Sequence, residues 1–297
     1  MLPDVGRHLM AIFNAHSGGG AYRRDLPLII DSLRGLGYDV DERETQSMGD
    51  ATRLAREAVA QGLDLVCVIG GDGTVNETIN GLAGTEVPLA IVPTGTVNVL
   101  AMELGIPLEP PDAVKLLDMG TLSWIDLGLA GERYFALMAG VGMDAAVVAA
   151  LSPAMKKAFK EAAFAVQGFA NYLTKEEPLI RVTAAERTVE GYFAVFGNSS
   201  NYGGGFGITP LADMRDGLLD VCVLTDKSLL STIWYWTAAL INAHIKHPKV
   251  EYFRTEAAEI VTVEEGKEVL VQTDGEMAGK LPLTCRVMPR SLRVIVP

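Results

Sequence analysis

The chain has 297 residues with a formal net charge of −12 and a pI near 4.8, a balance that excludes an extended nucleic-acid surface, because phosphate binding wants dense Lys and Arg. Hydrophobic residues at 49%, charged residues at 21% and a mean hydropathy of +0.23 exclude a disordered chain. No apolar run reaches the ~20 residues that span a bilayer, and the N-terminus carries no signal-peptide pattern.

Up to about residue 124, short apolar runs alternate with amphipathic ones, the pattern of βαβ units around a parallel sheet. His8 to Phe13 reads as a strand ending at Asn14, Leu26 to Leu36 as a helix closed by Gly37, and Tyr38 to Glu44 as a second strand. Asp50 is expected to N-cap a helix with Leu54, Ala58 and Val59 on one face and Gly62 as its stop. Leu65 to Ile69 is a continuous apolar run, as expected of a central strand buried on both faces. Val75, Ile79 and Leu82 recur at helical spacing, and Pro88 to Pro93 encloses another strand. Loops at 14–20, 70–74 and 93–98 all follow strand carboxyl ends, the edge of an open parallel sheet where ligands bind.

From about Trp124 the texture becomes antiparallel and all-β, in runs such as Tyr134 to Leu137, Ile180 to Thr183, Gly191 to Phe196, Leu218 to Leu224, Glu259 to Val263 and Val269 to Gln272. Two helical segments interrupt it, one opened by Ser152 and Pro153 and one near 228–246, and the last run, Leu292 to Val296, fits either half. The expected architecture is therefore a three-layer, Rossmann-like α/β domain with a parallel sheet over 1–124, with a tail from about 285 returning to it. A β-rich sandwich domain follows over 125–284. The three cysteines, Cys67, Cys222 and Cys285, are far apart in apolar runs and read as small buried hydrophobes, which suits a reduced, soluble, cytoplasmic protein. His8, His16, His244 and His247 have no metal spacing and read as surface or loop residues, and Trp234, Tyr235 and Trp236 read as core. Asp126 and Asp144, beside apolar runs, read as organisers of turns or of a metal network, not as catalysts.

The strongest chemical signal is GGDGTVNETINGL, Gly70 to Leu82: three glycines between a buried strand and a helix let backbone N–H groups approach a phosphate. Asp72 puts a carboxylate where phosphate would go, which a bridging Mg²⁺ explains, although a tight turn capped by Asp72 fits as well. NAHSGGG (Asn14 to Gly20) and PTGTVNVLA (Pro93 to Ala101) supply a second glycine-rich loop and the small polar side chains of Thr94, Thr96 and Asn98. No Walker P-loop is present. Taken alone, Asp274, Gly275 and Glu276 read as a polar β-turn, with Glu276 as a candidate base.

In this order and spacing the three segments resemble the nucleotide-binding half of the diacylglycerol kinase catalytic family, which includes soluble bacterial lipid kinases and sphingosine kinases and shares GGDGT with NAD kinases. Gly197 to Val221 and Val271 to Gly279 extend the resemblance over nearly the whole chain, on the lipid-kinase pattern. The resemblance implies ATP as phosphoryl donor, contacted by Asn14, Ser17, Gly18, Thr45, Thr96 and the run Gly71, Asp72, Gly73, Thr74, Val75, Asn76 and Glu77. It implies Mg²⁺ held by the carbonyls of Asp213 and Leu218 with the Asp216 side chain, and Glu276 as general base, with Asp72 and Glu276 sharing the cleft between the domains. Three departures stand out: Ala15 where the family has Pro, Val99 where many members have Asp, and no Arg within Leu100 to Met102.

The expected function is transfer of the γ-phosphate of ATP to a hydroxyl of a diacylglycerol-like or sphingoid lipid. The alternatives are an NAD kinase-like phosphorylation of a soluble nucleotide and a non-catalytic lipid- or nucleotide-binding protein. The expected partners are the lipid substrate, a transient membrane surface and a second copy in a homodimer, with no nucleic acid, and the localisation is cytoplasmic and peripherally membrane-associated. Lys156, Lys157 and Lys160, near Met155, Phe159 and Phe164, form the candidate docking face, which a solvated helix face explains as well.

Overall fold

The computed structural model describes residues 7–14, 23–142, 178–185, 187–200, 207–228, 231, 234–235, 238–239 and 241–297. The chain forms two compact units: unit 1 is Met1–Leu127 with Met214–Gly217 and Met288–Pro297, and unit 2 is Gly128–Asp213 with Leu218–Val287.

Unit 1 runs β1 (His8–Phe13), α1 (Leu26–Gly35), β2 (Asp39–Glu44), α2 (Asp50–Ala60), β3 (Leu65–Gly70), α3 (Asp72–Leu82), β4 (Leu89–Pro93), α4 (Val99–Glu103) and α5 (Pro110–Met119). The strands are parallel in the order β2-β1-β3-β4, so the chain passes back over β1 between its second and third strands. Right-handed crossovers put α1 and α2 on opposite faces. Accordingly α1 packs on α5 and α2 on α3, and β3 between these layers is buried at every position. The α2–α3 approach is close enough to need Gly81, where a Cβ would lie 2.5 Å from the Ala55 Cβ and 2.7 Å from the Thr52 carbonyl oxygen.

Two local expectations are corrected. The N-cap of α2 is Gly49, at φ +86°, and Asp50 instead turns back to accept from the N–H groups of Gln46 (2.8 Å) and Ser47 (3.0 Å), which hold its carboxyl below the usual range. Residues 70–74 are not a loop, because α3 begins at Asp72 and only Gly71 separates it from β3.

Unit 2 takes up the chain within β5 (Thr121–Ala130) and continues through β6 (Arg133–Phe135), β7 (Met138–Gly142), β8 (Ile180–Ala184), β9 (Arg187–Gly191), β10 (Phe193–Gly197) and β11 (Leu219–Leu224). It ends with β12 (Val250–Thr255), β13 (Ala257–Thr262), β14 (Leu270–Thr273), β15 (Glu276–Lys280) and the first residues of β16 (Leu283–Val296). One antiparallel sheet has the order β12-β11-β10-β7-β14-β15, and a second is built from β16, β13, β8 and β9. Alternate residues of the second sheet, Ile180, Val182, Ala258 and Ile260, form one core with Val141, Phe196, Val221 and Val271 of the first. That is a β-sandwich. The other face of β10 and β11 is also covered: Tyr235 meets Phe193 edge-on at 5.6 Å, and its hydroxyl lies 3.6 Å from Cys222 Sγ.

β16 is divided between the units, and the last apolar run, Leu292 to Val296, belongs to unit 1. β16 pairs antiparallel with β13 from Leu283 to Arg286, then parallel with β4 through Val294 and Leu89. Asp126, 2% exposed, secures this part of unit 1: its carboxylate accepts from the N–H of Gly217 (2.8 Å) and of Arg290 (2.7 Å), and its own N–H reaches the Met214 carbonyl (2.7 Å). The cysteines are buried, which pushes the Cys67 and Cys222 thiols up to about 12. His244 is not a surface residue: it is buried, its Nε2 lies 2.8 Å from the Ile208 carbonyl, and burial lowers its pKa. Near 228–246, Ser231, Trp234, Tyr235, Ala238 and Ala239 are helical, with Tyr235 and the alanines buried and Trp234 stacked on His247 at 4.0 Å. Among the described residues no helix is long and apolar enough to cross a membrane. His16, Asp144, Trp236 and the helix opened by Ser152, with Lys156, Lys157 and Lys160, lie outside the described residues.

Candidate active site

Ladder bonds at the carboxyl edge of the unit 1 sheet bring the sequence motifs together. Asn14 donates its N–H to the Ile69 carbonyl (3.4 Å), Thr45 donates to the Phe13 carbonyl from its N–H (2.9 Å) and hydroxyl (3.3 Å), and the Thr94 N–H reaches the Gly70 carbonyl (2.9 Å). Asn14, Thr45, Gly71 and Thr94 therefore line one edge, where the strand order reverses and open α/β sheets bind ligands. The N-terminus of α3 opens on the same edge, with Gly73 and Thr74 in its first turn, an arrangement suited to an anion.

The turns of GGDGT and PTGT meet backbone to backbone. A Cβ at Gly95 would lie 2.6 Å from the Gly71 Cα and 2.7 Å from the Asn98 Oδ1. Asn98, in the left-handed region at φ 58°, closes the second turn by accepting from the Gly95 N–H (2.9 Å) and donating Nδ2 to the Gly95 carbonyl (3.0 Å). Asp72 joins the two turns. Its Oδ2 accepts from the Asn98 N–H (3.0 Å) and its Oδ1 from the Val99 N–H (2.7 Å), so it caps α4 from 26 residues upstream. Burial pushes the Asp72 pKa up, and these N–H bonds oppose the shift without cancelling it. Val99, the departure from the family pattern, takes part through its backbone.

Gly95→Ala is expected to force the two turns apart and lower kcat/KM by roughly 10²-fold, the scale of an ångström-level misplacement. Gly35→Ala is the control, since no atom lies within 4 Å of a Cβ there. Equal kinetics in the two variants would show that the contact is not used.

In unit 2, Asp274 (φ 47°) and Gly275 (φ 83°) form the two-residue turn between β14 and β15, the left-handed pair that Asp-Gly favours. The Asp274 carboxylate accepts three backbone N–H groups, from Ala136 (2.7 Å), Leu137 (3.0 Å) and Met138 (2.9 Å). Asn198, fully buried, steadies the same segment by donating Nδ2 to the Ala136 carbonyl (2.8 Å). Glu276 opens β15, half-buried, and pairs with Arg133 of β6. A staple thus holds the candidate base.

Residues 8–130 match the family model described as the diacylglycerol kinase catalytic domain, and residues 137–296 the YegS C-terminal NAD kinase beta sandwich-like domain. The chain belongs to the diacylglycerol kinase catalytic family. It is 30% identical to a diacylglycerol kinase of Staphylococcus haemolyticus over 96% of this chain and 87% of that one. It is 29% identical to the diacylglycerol kinase of Staphylococcus saprophyticus over 96% of this chain and 94% of that one. A solved diacylglycerol kinase structure from Bacillus anthracis superimposes with a TM-score of 0.76 at 25% identity, covering 98% of this chain and 97% of that one.

The nucleotide residues expected in this family member divide in three. Asn14, Thr45, Gly71, Asp72, Gly73 and Thr74 share the sheet edge, with Thr96 exposed in the adjoining turn. Val75 is buried in α3, Asn76 is buried and bonded to Asn80 Nδ2 (3.1 Å), and the Glu77 carboxylate accepts from the Ala51 N–H (3.1 Å) at the start of α2, so these three are engaged elsewhere. Ser17 and Gly18 lie outside the described residues. Asp213 and Leu218 lie in unit 2 and Asp216 in unit 1, with both carboxylates exposed. Among the described residues no group of three or more His, Cys, Asp or Glu could hold a metal, so a site over 213–218 depends on backbone carbonyls. An all-oxygen set of that kind suits a hard cation that keeps several waters. Arg133 was not legible as a site residue, because no local pattern in the sequence marks it, and Asp274 was legible only as a turn residue.

Proposed function

We propose that this protein is an ATP-dependent lipid kinase that phosphorylates a hydroxyl of a diacylglycerol-like or sphingoid lipid. The observation that supports the reading best is that one chain matches both halves of the family and keeps both Asp72 and Glu276. Phosphoryl transfer asks a protein for positioning, charge neutralisation and a base for the attacking hydroxyl. The sheet edge with Asn14, Thr45 and the α3 N-terminus would receive the phosphates, and Asp72 would fix the Gly71 and Gly95 turns around them. Glu276 would accept the hydroxyl proton as the bond to phosphorus forms.

A divalent cation, when bound, neutralises charge on the transferring phosphoryl group. We assign Mg²⁺ to the carbonyls of Asp213 and Leu218 with the Asp216 carboxylate. At Asp72 each oxygen accepts a backbone N–H bond and keeps a further lone pair, so a metal there would reach the carboxylate directly or through water. Added Mg²⁺ is expected to raise the thermal midpoint of the wild-type chain, by about 2.7 kcal/mol of stability at a hundredfold excess over Kd. Asp216→Ala should abolish that rise. A midpoint equally responsive to Mg²⁺ in the variant would remove Asp216 from the metal site.

The function is tested by incubating the protein with labelled ATP, a panel of extracted lipids and NAD. Label in a lipid hydroxyl is expected. Label in NAD alone would replace this reading with the soluble-nucleotide one, and label in neither would leave a binding protein.

A further inference from the structure

We propose that Arg133 is a positioning residue for Glu276, gripping one carboxylate oxygen and leaving the other to accept the substrate proton; this rests on the reading of Glu276 as the base. The Arg133 Nη2 donates to Glu276 Oε2. Among the described residues no donor reaches Oε1. One oxygen is held, and no described residue takes the other.

The two side chains are delivered to each other by identifiable backbone features. Arg133 opens β6 opposite Ala130, in a hairpin whose register also sets Phe135 against Gly128. A Cβ at Gly128 would fall inside the Phe135 ring, so the missing side chain is what lets the ring lock the hairpin. Directly after Phe135 come the three N–H groups that bind the Asp274 carboxylate, and two residues after Asp274 comes Glu276. The Asp274 N–H also reaches the Met138 carbonyl (3.0 Å), so the staple is bonded in both directions. Arg133 and Glu276 therefore extend from the two ends of one staple, 143 residues apart in sequence.

The pair is also unlike an ordinary surface pair of this protein. Its side chains are 30% and 27% exposed, against 59% and 69% for Lys280 at the end of β15 and Glu268 just before β14. A glutamate at a hairpin mouth samples several rotamers, and freezing them before the substrate arrives raises the rate without changing nucleotide binding. The hairpin turn is secured without the pair, by the three N–H bonds to Asp274. The effect of losing Arg133 should therefore fall on turnover and spare the fold.

The test is a double-mutant cycle on the full chain, with labelled ATP and detergent-dispersed diacylglycerol, reading kcat, KM for ATP and the thermal midpoint. Arg133→Met is expected to lower kcat by about 10- to 10²-fold, with KM for ATP and the midpoint nearly unchanged. Arg133→Lys, which keeps a donor and the charge, should recover most of that loss. In a Glu276→Gln background, Arg133→Met should cost nothing further, because a residue acting through another has no effect once the other is gone. Wild-type kcat in Arg133→Met beside an impaired Glu276→Gln would overturn the Arg133 assignment alone. So would fully additive losses, which would place Arg133 on some other group. Near-wild-type turnover in Glu276→Gln would remove the base reading and the Arg133 role with it. An inactive wild-type chain would do the same for the lipid-kinase reading.

Discussion

Asp72→Asn is expected to lower kcat by at least ~10²-fold while the protein still folds. The carboxylate uses one oxygen for the Asn98 N–H and the other for the Val99 N–H. An amide keeps one acceptor and turns an NH₂ towards the second N–H, so one bond becomes a donor–donor clash. The lost cap alone costs about 0.5–2 kcal/mol, which a domain of this size tolerates. The turn it releases carries Thr94, Gly95 and Thr96 against Gly71, so the geometry of the sheet edge suffers more than the fold.

The same side chain gives a pH signature. Burial raises the Asp72 pKa above the ordinary 3.8, so the folded state binds a proton more readily than the unfolded chain. The stability this group contributes is then fully present below 3.8 and is lost as pH rises through the folded value. Wild-type stability minus that of Asp72→Asn should therefore fall with rising pH across that window. If the ionised form is the working one, the acid limb of the rate should lie above the ordinary carboxylate range. Asp72→Asn with wild-type kcat and the wild-type pH slope of stability would dismiss both statements.

What the sequence showed and what it hid divide along one physical line. β3 was legible because a strand covered by helices on both faces must be apolar throughout, and Leu65 to Ile69 is. The end of α1 was legible because Gly37, at φ +87°, is a local signal. α5 carries local signals too, prolines at its first two positions and Gly120 beyond its end. α4 was a different case. Five residues do not form a helix on propensity alone, and its cap is Asp72, far upstream. His244 and Arg133 share that reason, since each is defined by a partner 36 to 143 residues away. At Asp274 and Glu276 both halves were present. The Asp-Gly turn was plain locally, whereas the reason the turn is held so firmly, three N–H groups at Ala136 to Met138, was not.

Glu276→Gln carries the other large effect. Glutamine matches the shape of the side chain and keeps an acceptor for Arg133, but it cannot take a proton at physiological pH. If the hydroxyl proton passes to Glu276 in the transition state, kcat should fall by ~10²–10⁴-fold while KM for ATP barely moves, the signature of an interaction made in the transition state. The fold should be almost indifferent, because a partly exposed ion pair contributes at most about 1 kcal/mol and the turn is secured by Asp274 and Gly275, which are untouched. The contrast with Asp274→Ala sharpens the result. That change strips three backbone N–H groups of their acceptor and should lower both the thermal midpoint and kcat, each missing bond costing about 1–3 kcal/mol where the donor stays buried. A base and the residue that seats it are thereby separable: one variant loses rate alone, the other rate and stability together. Should Glu276→Gln lose stability as Asp274→Ala does, or turn over like wild type, Glu276 belongs to the hairpin rather than to the chemistry.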